Sequence, residues 1–184
     1  MSKPIFTLAV DSPVGRLALE SDDNSLTRVW LPGAEQPTPV NSLDTPRILR
    51  IAASQLDEYF AHERTEFNLP MSLEGTSFQR AVWAALCAIP YGETMSYGAL
   101  ARRIDCPKGF RAVGQANARN PLPIIVPCHR VVASNGLGGF AGGLPMKQAL
   151  LAVERSTLAM VRSETNFAAN EEVAPTSDNT HVTL

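Results

Sequence analysis

Asn120-Pro121-Leu122-Pro123-Ile124-Ile125-Val126-Pro127-Cys128-His129-Arg130-Val131-Val132 carries an apolar run that ends on a cysteine directly beside a histidine. A thiol is a sluggish nucleophile until it is deprotonated, and an imidazole is the side chain that most often promotes this near neutral pH. Neighbouring side chains on an extended strand point opposite ways, so Cys128 and His129 cannot share a proton there directly. Across a turn, or through one bridging water, they can. Read alone, the pair also fits a buried structural cysteine beside a satisfied histidine. The flanks decide between the two.

Upstream stand Phe78-Gln79-Arg80-Ala81-Val82-Trp83, Tyr91-Gly92-Glu93-Thr94-Met95-Ser96-Tyr97 and Arg111-Ala112-Val113-Gly114. Downstream come the Gly-rich stretch Gly136 to Gly143 and then Lys147-Gln148-Ala149-Leu150-Leu151-Ala152-Val153-Glu154. Together with Arg119 to Val131, these segments closely resemble the O6-alkylguanine-DNA alkyltransferases, also called methylated-DNA–protein-cysteine methyltransferases. The likeness runs from about residue 76 to residue 154, with a looser one toward the N-terminus. A Pro-Cys-His-Arg tetrapeptide alone is weak; in register with these flanks it is specific.

The chain has 184 residues, 45% hydrophobic and 18% charged, enough for one moderate domain or two small ones. It has no apolar run of roughly 18 residues, which argues against a membrane span. Met1-Ser2-Lys3-Pro4-Ile5 lacks the apolar core of a secretory signal. Cys87, Cys106 and Cys128 are an odd, widely spaced set, which argues against a disulfide framework and suits a reducing cytoplasm. The cysteines and histidines form no metal grid, so no metal site is expected. Cys87, in an apolar helical run, reads as a core residue. The net charge of −2 does not suggest a nucleic-acid partner, but its distribution does. Between residues 97 and 130, Arg102, Arg103, Lys108, Arg111, Arg119 and Arg130 face Asp105 alone. A basic stripe on an acidic body is the footprint of a polyanion site, although a solvated charged face looks similar.

Along the chain, Phe6, Leu8 and Val10 alternate, Pro13-Val14-Gly15 turns, and a strand follows around Leu17 and Leu19. Asp22-Asp23-Asn24 then turns the chain into Leu26 to Leu31. After a Pro-rich loop, Thr45 is the expected cap of a helix with Pro46 at its first position, and Leu49, Ala52, Leu56 and Tyr59 recur at helical spacing. Leu69 to Gly75 reads as a linker. Thr76-Ser77-Phe78-Gln79 matches a capping box, with Phe78, Val82 and Leu86 as the apolar stripe behind it. Two short helices, around Tyr97 to Ile104 and Phe110 to Asn117, flank the breaker Asp105 to Gly109 and suggest a helix-turn-helix. A last helix starts at Pro145 and is expected to end near Glu154-Arg155. The Ser/Thr/Asn/Glu-rich remainder is too poor in periodic apolar residues to fold alone, although Leu158 and Val161 could extend a helix.

The expected fold is therefore α+β: an N-terminal antiparallel sheet with a helix over residues 1–74, ribonuclease-H-like by the resemblance. A mostly helical domain with a helix-turn-helix follows over 75–155, and then a polar, flexible tail over 156–184. With no cysteine before Cys87, the chain resembles the stand-alone form of the family rather than the fused regulators.

The resemblance implies that Cys128 takes the alkyl group from O6 of guanine, with possible action on O4-alkylthymine, in a single turnover without a cofactor. His129 would act as base on Cys128 through a water, with Glu154 orienting His129 and Asn120 holding the turn. Such a relay implies a thiol that ionises well below the ordinary value. The damaged nucleotide of double-stranded DNA must be flipped out to reach the thiol. Arg111 would then fill the gap, and the second helix would enter the minor groove over small residues such as Ala112 and Gly114. Phe110, Arg119 and Arg130 would complete the DNA-binding face. Tyr97 would donate to guanine N3. Backbone groups of Cys128, Val131 and Ala141 would hold the base edge, with Pro123 and Phe140 lining the pocket. A monomer in the cytoplasm, with no membrane partner, is the expected form.

Two residues depart from the family pattern. Phe110 stands where alanine is common, and Phe140 where many members have tyrosine. A lesion-binding protein of the alkyltransferase-like type is the nearest alternative, but that type lacks the reactive cysteine. A cysteine hydrolase is more distant, because no oxyanion-hole motif is evident.

Overall fold

The computed structural model describes residues 4–38 and 45–171, with side chains through residue 163. The alternating N-terminal segments form strands β1 (Phe6–Val10), β2 (Leu17–Ser21) and β3 (Leu26–Trp30), an antiparallel meander in that order. Val10 pairs with Leu17 across the first turn, and Leu19 pairs with Val29 in the second ladder. Successive strand residues face opposite ways, so burial of Leu17, Ala18 and Leu19 alike means that both faces of central β2 are covered. The expected linker does more than connect. Leu26 N–H donates to the Pro70 carbonyl, and Ser72 N–H donates back to Leu26, so Pro70–Ser72 extends the edge of β3.

Helix α1 (Arg47–Phe60) lies against this sheet through Leu49, Ala52, Leu56 and Tyr59, all fully buried. It begins one residue later than expected, with Pro46 rather than Thr45 at the N-cap position and no side-chain capping bond. The extended ψ of 143° at Pro46 places that residue outside the helix. Helix α2 (Ser77–Cys87) opens on the capping box, with Thr76 Oγ1 accepting from Gln79 N–H and Gln79 Oε1 accepting from Thr76 N–H. Its buried stripe is Val82, Trp83, Ala85 and Leu86, and Trp83 Nε1 donates to the Ala116 carbonyl 2.9 Å away. Cys87 ends this helix at the surface and is not the core residue expected, because the stripe turns away from it.

Strand β4 (Met95–Ser96) pairs in parallel with β5 (Val131–Val132), which draws the distant halves of the C-terminal region together. Helix α3 (Tyr97–Arg103) follows β4 directly, capped by Ser96 Oγ on Ala99 N–H, and α4 (Phe110–Ala118) is the second helix of the helix-turn-helix. A Cβ at Gly109, in the turn between them, would fall 2.3 Å from Cys106 Sγ, so only glycine fits there without displacing Cys106.

Helix α5 spans Gly143–Glu171 and does not stop near Glu154-Arg155. Thr157 explains the first extra turn. Its hydroxyl bonds back to the Val153 carbonyl and meets His62 Nδ1 at 2.8 Å and Tyr91 Oη at 2.9 Å. These contacts clamp the helix to the end of α1 and to the loop before β4, a tertiary gain that composition does not reveal. The segment from Glu172 onward, including the rest of the expected tail, lies outside the described residues. No helix among the described residues is long and apolar enough to cross a membrane.

Candidate active site

The loop from Asn120 to Pro127 places the thiol. Asn120 spans it, with Nδ2 donating to the Val126 carbonyl at 2.7 Å and Oδ1 accepting from Leu122 N–H at 3.0 Å. Ile124 is buried with a φ of 76°, a left-handed backbone that a β-branched residue adopts only when its surroundings enforce it. The loop delivers Cys128–Arg130 as one 3-10 turn rather than as a strand. With three residues per turn, successive side chains diverge by about 120°, so neighbours can serve different surroundings. Cys128 faces a pocket, whereas His129 is fully buried against Glu154.

That pocket has a volume of about 250 Å³. Its wall brings together Tyr97, Gly114, Asn120, Pro123, Phe140 and Ala141 from four separate stretches of chain. Asn117 and Ala118 of α4 also line it. Other hollows of comparable or larger size lie by the β-sheet, along α1 and at the end of α2, but none of those is lined by Cys128.

Behind the thiol, Glu154 collects hydrogen bonds from two elements and a loop. His129 Nε2 lies 2.7 Å from Oε1, Tyr59 Oη donates to Oε1 at 3.1 Å, and Gly92 N–H donates to Oε2 at 2.9 Å. Arg130 adds its Nε and Nη2 at 3.0–3.1 Å. Burial works to raise the Glu154 carboxyl, but His129 and then Arg130 outweigh it and hold the pKa down at about 2. The acid is therefore a permanent anion. An ionised carboxylate accepts only, so His129 Nε2 must carry the proton of that bond. Nδ1 then holds the lone pair, and it is buried without a hydrogen-bond partner among the described residues. Burial lowers the His129 pKa, with Glu154 opposing, so the resting ring is neutral and ready to accept. Gly92 holds this position with a φ of 75°, and a Cβ there would collide with the Leu158 side chain, so glycine suits it on both counts.

The thiol itself departs from expectation. Burial pushes Cys128 up to about 11, with Asn120 and the Lys147 charge pulling the other way. Cys128 is 3% exposed and the imidazole behind it is neutral, so the pull of Asn120 and Lys147 does not offset the cost of burying a thiolate. The low-pKa thiol implied by the relay is thus not the resting state.

Arg130, expected on the DNA-binding face, is 7% exposed. It is committed to Glu154, to the Ile89 carbonyl at 2.7 Å and to the Tyr91 ring. The structure assigns it to the buried acid rather than to DNA. Val131 is also fully buried, and its carbonyl accepts from Lys147 Nζ. Phe110, Arg111, Ala112 and Arg119 are exposed on or beside α4, the helix whose Gly114, Asn117 and Ala118 line the pocket.

Three contributors were missed. Tyr59 reads in sequence as one more apolar position of α1, and nothing there marks its hydroxyl. Lys147 is fully buried, and its ammonium ties Val131 to the Leu137 and Gly139 carbonyls of the Gly-rich loop. Asn117 shares a helical face with Gly114, a spacing that could have drawn attention to it. Its Nδ2 lies 3.5 Å from the Cys128 carbonyl, and its Oδ1 is buried without a hydrogen-bond partner among the described residues.

A helix-turn-helix whose second helix walls a pocket ending on a buried, histidine-backed thiol defines a DNA-binding protein with a cysteine acceptor. The model of the 6-O-methylguanine DNA methyltransferase DNA-binding domain matches residues 77–156, and that of the same family's ribonuclease-like domain matches residues 5–73. The chain belongs to the 6-O-methylguanine DNA methyltransferase family. A methylated-DNA–protein-cysteine methyltransferase of Mycolicibacterium paratuberculosis is 49% identical over 148 residues, covering 79% of this chain and 90% of the relative. The crystal structure of the Mycobacterium tuberculosis O6-methylguanine methyltransferase superposes with a TM-score of 0.75 at 43% identity, covering 84% of this chain and 94% of that one. The M. tuberculosis protein OGT in complex with DNA gives a TM-score of 0.72 at 45% identity, covering 83% and 93%.

Proposed function

We propose that this chain repairs DNA by direct reversal, taking an alkyl group from O6 of guanine onto Cys128. The observation that carries the reading is the pocket that ends on the Cys128 thiol and is walled by the second helix of a DNA-binding fold. In the transfer an S–C bond forms at Cys128 as the C–O6 bond breaks. The thiol proton leaves toward His129 Nδ1 through a bridging water, and Glu154 stabilises the cation that results. The electrons of the broken bond pass into the guanine ring. Tyr97, whose pKa is raised by burial and by the neighbouring Cys128, keeps its own proton to give to guanine N3. The product thioether has no easy leaving step, so each molecule acts once and the acceptor is the chain itself.

A base stacked in a duplex cannot reach this thiol, so the substrate is a nucleotide flipped out of alkylated double-stranded DNA. Arg111 is exposed one turn before Gly114, which itself lines the pocket, and that suits a side chain that fills the vacated stack. Ala112 and Gly114 allow close approach to the groove, and Arg119 adds a phosphate contact. Pro123, Phe140 and Ala141 hold the base. The division near residues 74 and 75 is supported by the family-model limits at 73 and 77. A monomer acting in the cytoplasm, where its three free thiols persist, completes the reading.

The deciding experiment is intact-protein mass after mixing with a duplex bearing one O6-methylguanine. A single gain of about 14 Da mapped to Cys128 is expected for covalent methyl transfer. Cys128→Ser should show none while still binding the duplex. Alkyl mapped to Cys87 or Cys106 would exclude the assignment.

A further inference from the structure

Phe110 is 50% exposed, an aromatic ring left in solvent at the first residue of α4. Its position on that helix is specific. Phe110, Gly114, Asn117 and Ala118 fall at i, i+4, i+7 and i+8, which is one helical face. The last three line the pocket that ends on Cys128. Phe110 therefore continues the pocket wall outward, about 6 Å beyond Gly114 along the helix axis at 1.5 Å per residue. A nucleotide that enters the pocket brings its neighbouring base pairs across this ring.

The surroundings select the partner. Arg102, Arg103, Lys108, Arg111 and Arg119 are exposed on the same helix pair and its flanks, with Asp105 as the opposing charge in that stretch. The Arg111 guanidinium lies 5.8 Å from the centroid of the Phe110 ring. Cations recruit phosphates, but a phenyl ring gains nothing from phosphate. It gains from the face of a base, and apolar side chains on minor-groove proteins insert between base steps for that reason. Alanine, common at this position in the family, cannot do so.

Resting on the reading of Cys128 as acceptor for a flipped-out base, we infer that Phe110 is a wedge. It unstacks the base step beside the flipped nucleotide while Arg111 fills the gap. The ring lowers the work of extrusion by stacking on the base that the lesion leaves behind. Its neutral charge separates this role from phosphate binding. Removing a phosphate contact flattens the salt dependence of binding by about one unit of slope, and removing a ring does not.

The test uses the full chain and its Phe110→Ala and Phe110→Trp variants. Transfer is timed on an O6-methylguanine duplex and on free O6-benzylguanine. In a Cys128→Ser background, emission of 2-aminopurine placed beside the lesion reports unstacking. The expected result for Phe110→Ala is a ratio of duplex to free-base rates about tenfold lower than wild type. That loss corresponds to one stacked base at the lower end of its usual worth. The emission rise should be largely lost, the salt slope retained, and Phe110→Trp should restore both ratio and emission. An unchanged or higher ratio in Phe110→Ala, or an emission rise that survives it, overturns the wedge. Absence of transfer from the O6-methylguanine duplex to the wild-type chain instead removes the parent reading, and the wedge with it.

Discussion

Cys128 sits where a thiolate is disfavoured, so its proton leaves as the carbon is attacked rather than beforehand. With the thiol near 11 and His129 neutral, the imidazole acts during the reaction and not as a standing counter-ion. Wild-type alkylation should then rise with pH toward that value. His129→Ala and Glu154→Gln should be slowest relative to wild type near neutral pH. Their deficit should shrink as hydroxide ionises the thiol directly. The double variant should fall well short of the product of the two losses, because the pair acts as one unit. Rates of S-alkylation against pH for the four proteins check this. A deficit independent of pH would mean that the two residues only hold the structure.

The elements divide the work between chemistry and access. On the proposed reading α4 carries the groove-facing side chains, so Arg111→Ala should slow transfer to duplex DNA far more than transfer to free O6-benzylguanine. Extruding a base costs a few kcal/mol, and the free base avoids that cost. Parallel rates on the two substrates, reduced alike, would show that Arg111 does not fill the gap. Much of this level was legible in the chain. The meander announced itself through alternation and turns, α2 through Thr76 and Gln79, and the helix-turn-helix through the break at Asp105 to Gly109. Cys128, Asn120 and Tyr97, singled out by the resemblance from separate motifs, line one pocket, and His129 lies behind it against Glu154. What stayed hidden depends on contacts across the chain. Arg130 looked like part of a basic stripe, but its guanidinium reaches Glu154 only once α5 is docked. The length of α5 was hidden likewise, because Thr157 gains its partners from residues 62 and 91.

At the scale of the whole molecule, the buried titrating groups set limits on stability at both ends of the pH range. Cys128 ionises at about 11 in the fold, against about 8.5 for a free thiol. The stability it contributes is whole below the free value and is lost as pH rises to about 11, up to about 3 kcal/mol. Glu154, held near 2, contributes in the opposite sense: fully above the ordinary carboxylate range, and less as pH falls toward 2. Melting temperatures of wild type and Cys128→Ser should therefore separate progressively between pH 9 and 11, with the variant losing less. Curves that stay parallel would show the thiol unperturbed. The Tyr59 hydroxyl reaches Glu154 from the other family module, across 95 residues of sequence. Recombination between relatives is therefore constrained at a seam that their boundaries leave invisible. A chimera that exchanges the N-terminal half for one bearing phenylalanine at position 59 should fold yet react more slowly, and restoring the tyrosine alone should recover the rate. Equal rates with either ring would make the two halves freely interchangeable parts.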